Sequence, residues 1–268
     1  MKQPFRLSVT IYSLRDYVAG GKISVPKFIE LMAELGAEGV DLGYYWRSEE
    51  EKVEARRKLD ELGLELAIYI TATDFAKPSE EERRQEVVKA KNAVDEAKRF
   101  GASKLRVHPG DLKPGIDPEE AEKWVTESLA EVVDYAADEG IVLAMENHGR
   151  HFAKVEVVER LLRAVNSPYL QLTFDTGNFA FAGDSPLEAA SRLGVWVAHV
   201  HAKDVDTLGR ACAPGEGALD FEAIVSQLLA RGFSGFLSVE YEGRRDQLLG
   251  VGLGLGYLRA LRARMRLG

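Results

Sequence analysis

The sequence contains one cysteine, Cys212, and no long apolar run. A single cysteine forms neither an internal disulfide framework nor a thiolate metal cluster, which fits a reducing compartment. The first residues lead into a short strand-like segment rather than the apolar core of a signal peptide, and no stretch of about 18 apolar residues follows. We therefore expect a cytoplasmic protein without a membrane segment.

Positive charge is also scarce. Against 43 aspartates and glutamates stand 35 lysines and arginines, giving a formal net charge of −8. Binding along a phosphate backbone depends on clustered cationic side chains, which this balance does not favour. The glycine-rich dinucleotide fingerprint is absent after the first predicted strand. The sequence therefore predicts neither a nucleic-acid partner nor a nucleotide cofactor.

Length and patterning predict one α/β domain, residues 1–268, folded as a single (β/α)8 TIM barrel. The 268 residues match the usual size of that fold, and 46% of them are hydrophobic. Eight short apolar segments alternate with helical patterns, many of which stop at a glycine. The strands are predicted within 5–14, 39–43, 64–71, 104–108, 142–149, 170–178, 195–204 and 235–241. The helices are predicted within 24–36, 48–62, 79–100, 117–140, 154–165, 186–193, 221–231 and 246–264, with Ser48 and Glu51 forming a capping box.

A run of alternating glycines interrupts the last helical pattern, at positions 250, 252, 254 and 256. Glycine in a helix interior is unfavourable by about 1 kcal/mol relative to alanine. We therefore expect a loosely wound segment there, followed by a helix over residues 257–264.

The last four predicted strands each deliver a metal-ligand type at the C-terminal end: Glu146, Asp175, His201 and Glu240. In a parallel barrel all such ends open on one rim, so these side chains should meet. Three carboxylates and one imidazole suit Mn²⁺, Mg²⁺ or Co²⁺ better than a structural zinc site, with Zn²⁺ as a further option. An ion that prefers more than four ligands keeps positions free for water or substrate, as catalysis requires.

The residues alone leave simpler explanations open. Glu146 could serve only to accept hydrogen bonds from loop amides, and Asp175 could serve only in an Asp-x-Gly turn. His199 lies on the same strand face as His201, one layer deeper, and is predicted to be structural. Glu242 shares a strand face with Glu240 and is its rival as a ligand.

A series of motifs follows the strand ends in chain order. It consists of Glu146, residues 174–178 (Phe-Asp-Thr-Gly-Asn), residues 199–204 (His-Val-His-Ala-Lys-Asp), residues 214–217 (Pro-Gly-Glu-Gly), and Val239 with Glu240. This series resembles the xylose isomerase-like barrel superfamily, and the likeness extends over nearly the whole chain. Members of that superfamily include ketose 3-epimerases, hydroxypyruvate and inosose isomerases, inosose dehydratases and endonuclease IV.

The resemblance implies one divalent ion, Mn²⁺ by preference, held by Glu146, Asp175, His201 and Glu240, with the two glutamates on opposite sides of the substrate. A divalent ion that chelates a carbonyl and a neighbouring hydroxyl stabilises an enediolate, and a nearby carboxylate can remove the α-proton. We therefore expect a metal-dependent isomerase or epimerase of a small sugar or polyol ketone, with both glutamates catalytic. A homo-oligomer is also considered.

Three alternatives remain. An inosose-type dehydratase would expel a β-hydroxyl from the same enolate, with acid help from Lys203 or His108. An endonuclease IV-like nuclease is disfavoured, because Asn178 replaces one of that enzyme's ligands and no histidine follows His201. A barrel that only binds carbohydrate or a partner is the non-catalytic alternative. The sugar 3-epimerase branch is weakened by Asn178, where many members have histidine, and by Thr207, where they have arginine.

Other rim residues are predicted to contact the substrate. They are His108, Asn178, Lys203 and Glu216. Three aromatic residues follow the first three strands and could wall the pocket against water: Tyr12, Trp46 and Phe75.

Overall fold

The computed structural model describes residues 3–266, which contain ten strands and ten α-helices. Eight of the strands form a closed parallel barrel, as predicted, and the other two form a small antiparallel pair. The strands are β1 (Arg6–Thr10), β2 (Gly39–Leu42), β3 (Glu65–Ile70), β4 (Lys104–Val107), β5 (Val142–Glu146), β6 (Leu170–Asp175), β7 (Val197–Ala202), β8 (Asp204–Val205), β9 (Ala211–Cys212) and β10 (Phe236–Val239).

Helices connect the barrel strands. They are α1 (Arg15–Ala19), α2 (Val25–Glu34), α3 (Glu49–Leu62), α4 (Glu80–Arg99), α5 (Pro118–Asp138), α6 (Val155–Val165), α7 (Thr176–Ala182), α8 (Pro186–Leu193), α9 (Phe221–Ala230) and α10 (Gln247–Arg264). Two of them, α1 and α7, are short helices that the sequence analysis did not predict. Among residues 3–266, no helix combines the length and the apolar character needed to cross a membrane.

The order of strands around the barrel brings the functional ends together. It runs β1, β10, β7, β6, β5, β4, β3, β2 and closes on β1. Consequently β5, β6, β7 and β10 are consecutive neighbours, and Asp175 lies in register with His201 across the β6/β7 pair. The four predicted ligand-bearing strands therefore form one side of the barrel.

Two local predictions are corrected by side-chain hydrogen bonds. The first strand ends at Thr10 rather than near residue 14, and Ile11–Leu14 forms a 3-10 turn. Within that turn Ser13 Oγ donates to the carbonyl of Val239 and accepts from the amide of Tyr241, which ties the turn to β10. The capping box forms on one side only. Ser48 Oγ accepts from the Glu51 amide, but the Glu51 carboxylate accepts from the amides of residues 25 and 47.

The prediction of a loosely wound segment at residues 250–256 is wrong, because α10 runs through these residues without a break. Its glycines fall on two faces. Gly250 and Gly254 are buried, and a Cβ on Gly250 would lie 2.4 Å from Tyr241 Cζ, while one on Gly254 would lie 2.9 Å from Pro214 Cδ. Close approach of the helix to its neighbours therefore requires these two glycines and outweighs their poor helix propensity.

This arrangement predicts opposite effects of alanine on the two faces of α10. A Cβ on Gly252 meets nothing within 4 Å, so Gly252→Ala should raise the free energy of unfolding by about 0.5–1 kcal/mol through helix propensity. The matched change Gly250→Ala should lower it by about 1–3 kcal/mol, because the new methyl group collides with Tyr241. Urea unfolding of both variants checks this, and equal effects would contradict it.

Candidate metal centre

Four buried side chains converge at the C-terminal end of the barrel. Glu146 and Asp175 end β5 and β6, His201 is near the end of β7, and Glu240 follows β10 directly. Each offers one ligand atom, and these four atoms all lie within 4.8 Å of one another. The structure thus brings together the four residues that the sequence analysis selected as ligands.

Three of these ligand atoms lack an aligned hydrogen-bond partner anywhere in the described part of the chain. They are Asp175 Oδ2, His201 Nδ1 and Glu240 Oε2, all of them buried, and the second ring nitrogen of His201, Nε2, lacks such a partner as well. Buried polar atoms are normally satisfied, so their convergence calls for a cation that accepts lone pairs. Two or more carboxylate oxygens with one imidazole nitrogen form a donor set for a divalent metal ion. The residues present therefore fit the predicted metal.

Lys203 places a positive charge among the same carboxylates. Its Nζ lies 3.1 Å from Asp175 Oδ2, 3.1 Å from Glu240 Oε2 and 2.8 Å from Glu242 Oε1. Burial alone would lower the pKa of Lys203, but the surrounding acids outweigh it and raise that pKa well above the usual range. The side chain is therefore an ammonium donor aimed at the centre.

The two carboxylate oxygens of Asp175 have different roles. Its Oδ1 accepts from the amide of Asn178 at 2.7 Å and caps the N-terminus of α7, which leaves Oδ2 for the centre. The side chain of Asn147 bonds both the amide and the carbonyl of Asp175, at 2.8 and 3.0 Å. Burial raises the pKa of the Asp175 carboxyl well above its ordinary value, and the nearby Glu240 raises it further.

Glu146 is held by a set of donors. Arg106 Nε lies 3.1 Å from its Oε2, and Asn178 Nδ2 donates to its Oε1 at 3.2 Å. Burial would raise the pKa of Glu146, yet the charges of Arg106 and His201 hold it well below the usual range. Glu146 is thus a fixed carboxylate, oriented before any ligand arrives.

His108 is a neutral imidazole at this site. Burial and the neighbouring Arg106 lower its pKa to about 3. Its Nε2 contacts both Arg106 Nη1, which donates, and Glu146 Oε2 at 3.2 Å, which accepts. The ring also stacks on His148, with centroids 4.2 Å apart. His108 can therefore offer a substrate a neutral hydrogen bond, but not a cationic one.

A cavity of about 510 Å³ opens over these residues. Its lining includes both glutamates and three of the predicted substrate contacts, and Tyr45 reaches it through a left-handed backbone conformation, φ 72°. The lining residues are Tyr12, Tyr44, Tyr45, Ala72, Arg106, His108, Glu146, His148, Asn178, Phe181, Lys203, Glu240 and Glu242.

Some predicted rim residues lie outside this lining. Glu216 pairs with Arg245 at 2.6 Å. Trp46 donates to the hydroxyl of Tyr69, and Phe75 is buried in the hydrophobic core. Of the three predicted wall aromatics, only Tyr12 borders the cavity.

The loop that carries Glu216 is tied down from below by Asp204. The Asp204 carboxylate accepts from the amides of Val205, Gly215, Gly217 and Leu219. A Cβ on Gly217 would lie 2.2 Å from Asp204 Oδ1, so glycine is required there. Asp204 therefore organises the loop.

Two residues that face the centre were not predicted from the sequence. Arg106 projects from β4 and also donates to Thr71 O at 3.1 Å and to the hydroxyl of Tyr44 at 3.0 Å. Asp41, at the end of β2, contacts the predicted ligand His201 from below. Polar residues between apolar neighbours in Leu105-Arg106-Val107 and Val40-Asp41-Leu42 are the signal that would have found both of them.

Comparison with known proteins agrees with this architecture. Residues 29–261 match the xylose isomerase-like TIM barrel family, and the chain belongs to that family. It is 25% identical to an inosose dehydratase of Geobacillus thermodenitrificans over 254 residues, 83% of this chain and 84% of that protein.

Two solved structures share the fold. An L-ribulose 3-epimerase superposes with a TM-score of 0.82 at 14% identity, covering 98% of this chain and 97% of its own. The IOLI protein with a bound zinc atom superposes with a TM-score of 0.80 at 18% identity, covering 97% and 99%.

Proposed function

We propose that this protein is a divalent-metal-dependent enzyme that removes the proton α to the carbonyl of a small polyhydroxy ketone and returns it, as an isomerase or epimerase. One observation carries the proposal: four buried ligand atoms within 4.8 Å of one another, three of them without an aligned hydrogen-bond partner in residues 3–266, at the floor of a sugar-sized cavity. Glu146, Asp175, His201 and Glu240 would hold the ion, with Mn²⁺ preferred. The zinc atom in the IOLI structure supports a divalent ion in a barrel of this shape.

When bound there, a divalent ion supplies Lewis-acid polarisation of a substrate carbonyl and offsets negative charge on its oxygen. Glu240 is the better base of the two glutamates. Glu146 accepts an aligned hydrogen bond from Asn178 at 3.2 Å, whereas the ammonium of Lys203, 3.1 Å from Glu240 Oε2, is not aligned with that oxygen. Lys203 and the neutral His108 lie beside the two carboxylates and would orient substrate hydroxyls. Return of the proton to the adjacent carbon gives isomerisation, and return on the opposite face gives epimerisation.

Dehydration is the second candidate, favoured by the position of Lys203. Its ammonium lies 3.1 Å from Glu240 Oε2, so one carboxylate could take the α-proton while Lys203 protonates the departing β-hydroxyl as water. The resemblance to an inosose dehydratase over most of the chain supports this alternative. The two reactions share every step up to the fate of the enolate.

A single incubation separates the two reactions and tests the metal requirement. Protein freed of metal with a chelator and then reloaded with Mn²⁺ is incubated in D2O with ketohexoses and with inosose. We expect deuterium incorporation in recovered or isomeric sugar only after reloading, measured by NMR and mass spectrometry. Loss of one water molecule from the product mass would select the dehydratase.

The control is the chelated protein reloaded with Ca²⁺, which prefers more oxygen ligands and longer bonds. Equal turnover by the chelated and Mn²⁺-loaded protein would contradict the proposal. Sugar binding without deuterium incorporation or water loss would instead favour the non-catalytic carbohydrate-binding barrel. A cytoplasmic location and a homo-oligomer stay predictions from the sequence.

A further inference from the structure

A carboxylate below the metal centre has no role in the proposed chemistry. Asp41 is wholly buried at the end of β2, and its side chain reaches across the barrel interior to β7. Neither neighbour of β2 in the barrel is β7, because β1 and β10 lie between them on one side. The carboxylate therefore spans the interior instead of pairing within the sheet.

Both histidines of β7 approach this carboxylate. His199 Nε2 hydrogen-bonds Asp41 Oδ2 at 3.0 Å, and His201 Nε2 lies 3.3 Å from the same oxygen. The other nitrogen of His201, Nδ1, lies 3.5 Å from Glu146 Oε2 and 3.4 Å from Glu240 Oε2. One imidazole thus joins Asp41 on one side to the metal ligands on the other.

The two nitrogens of the His201 imidazole have different roles in this arrangement. A histidine binds a metal through a nitrogen that carries a lone pair, and the tautomer is set by the hydrogen bond of the other nitrogen. His201 Nε2 lies 3.3 Å from Asp41 Oδ2 without an aligned hydrogen bond in residues 3–266. A carboxylate only accepts, so its charge attracts the ring proton to Nε2, and the lone pair of Nδ1 then faces the centre. Burying an unpaired carboxylate destabilises a protein. The nearby partners of the Asp41 carboxylate are His199 and His201.

We infer that Asp41 is a positioning residue for the metal, which holds His201 as the tautomer that binds through Nδ1. The inference rests on the proposed metal-dependent function. Asp41 touches neither substrate nor ion, and its effect reaches them only through the ring of His201.

The test is Asp41→Asn, which keeps the shape but can donate an amide proton to His201 Nε2 and so favour the wrong tautomer. Loss of such a supporting contact weakens metal binding by about 10–100-fold. We expect that loss in calorimetric titration of the metal-free protein with Mn²⁺ alone, with one ion bound per chain in the parent.

The matched control is Ser238→Ala. Ser238 lies in register with His201, and its buried hydroxyl has no aligned hydrogen-bond partner in the described chain. This variant should bind Mn²⁺ within about twofold of the parent, since no contact to the His201 ring is lost.

Several outcomes would overturn the inference. Parent-like Mn²⁺ affinity in Asp41→Asn would remove the positioning role while leaving the proposed function intact. A parent that binds two ions, falling to one in Asp41→Asn, would make Asp41 itself a ligand. A parent that binds no divalent ion would end both proposals.

A second measurement needs no variant and so holds even where Asp41→Asn fails to fold. In the parent protein labelled with ¹⁵N-histidine and loaded with diamagnetic Zn²⁺, long-range ¹H–¹⁵N NMR reports the protonated nitrogen of each ring. We expect the proton of His201 on Nε2 and coordination through Nδ1. A proton on Nδ1, with Nε2 coordinated, would refute the inference.

Discussion

Glu240→Gln is expected to lower exchange of the substrate α-hydrogen with solvent by about 10²–10⁴-fold, the usual contribution of a general base. Glutamine fills the same space but cannot accept the proton. The Glu240 carboxylate is buried, lies 3.1 Å from Lys203 Nζ and has no aligned donor on Oε2 within residues 3–266. Because the change also removes a candidate ligand, exchange is measured by NMR in D2O at saturating Mn²⁺.

The neighbouring acid provides the matched control. Glu242 also lines the cavity and lies 2.8 Å from Lys203, but it is outside the group of four ligand atoms. Glu242→Gln should therefore retain exchange within about tenfold of the parent. If Glu242→Gln lost exchange while Glu240→Gln kept it, the base would be Glu242 and not Glu240.

Arg106→Met is expected to lower the free energy of unfolding of the metal-free protein by about 3–5 kcal/mol. Methionine keeps the apolar stem but leaves the carboxylate of Glu146 buried without its guanidinium, which lies 3.1 Å away and is itself 1% exposed. Urea unfolding of the parent and the variant measures the loss, a large share of a typical domain stability of about 5–15 kcal/mol.

A double variant separates the orphaned charge from lost packing. Arg106→Met combined with Glu146→Gln removes both charges, so it should be more stable than Arg106→Met alone by at least about 1 kcal/mol. Tyr44→Phe removes only an acceptor of Arg106 and should cost about 1 kcal/mol. A loss below about 1 kcal/mol in Arg106→Met would show that Arg106 does not stabilise Glu146.

The barrel and the four ligand candidates could be predicted from the sequence because both depend on local patterns. Each apolar run that stops at Glu146, Asp175, His201 or Glu240 fixes a strand end, and a parallel barrel sends all such ends to one rim. The order of the strands along the chain then predicts that the four residues lie close together, because successive barrel strands in the sequence are neighbours in this sheet.

What could not be predicted depends on contacts between distant segments. Helix α10 persists because Gly250 and Gly254 let it approach Tyr241 and Pro214, a gain that residue propensities do not contain. Arg106 and Asp41 become functional candidates only once β4 lies beside β5 and the side chain of Asp41 reaches β7 across the interior. Glu216, chosen from a motif, pairs with Arg245 because the Asp204 carboxylate sets the course of its loop.

One carboxylate of the centre also belongs to the scaffold, which limits how the site can be re-engineered. Asp175 caps the helix that carries Asn178 and Phe181, so exchanging it for a softer ligand would disturb the cavity wall together with the ion's surroundings. Glu240 caps no helix and ends no strand. A designer who wishes to change the metal preference would therefore vary His201, keep Glu240 as the proposed base, and leave Asp175 as part of the architecture.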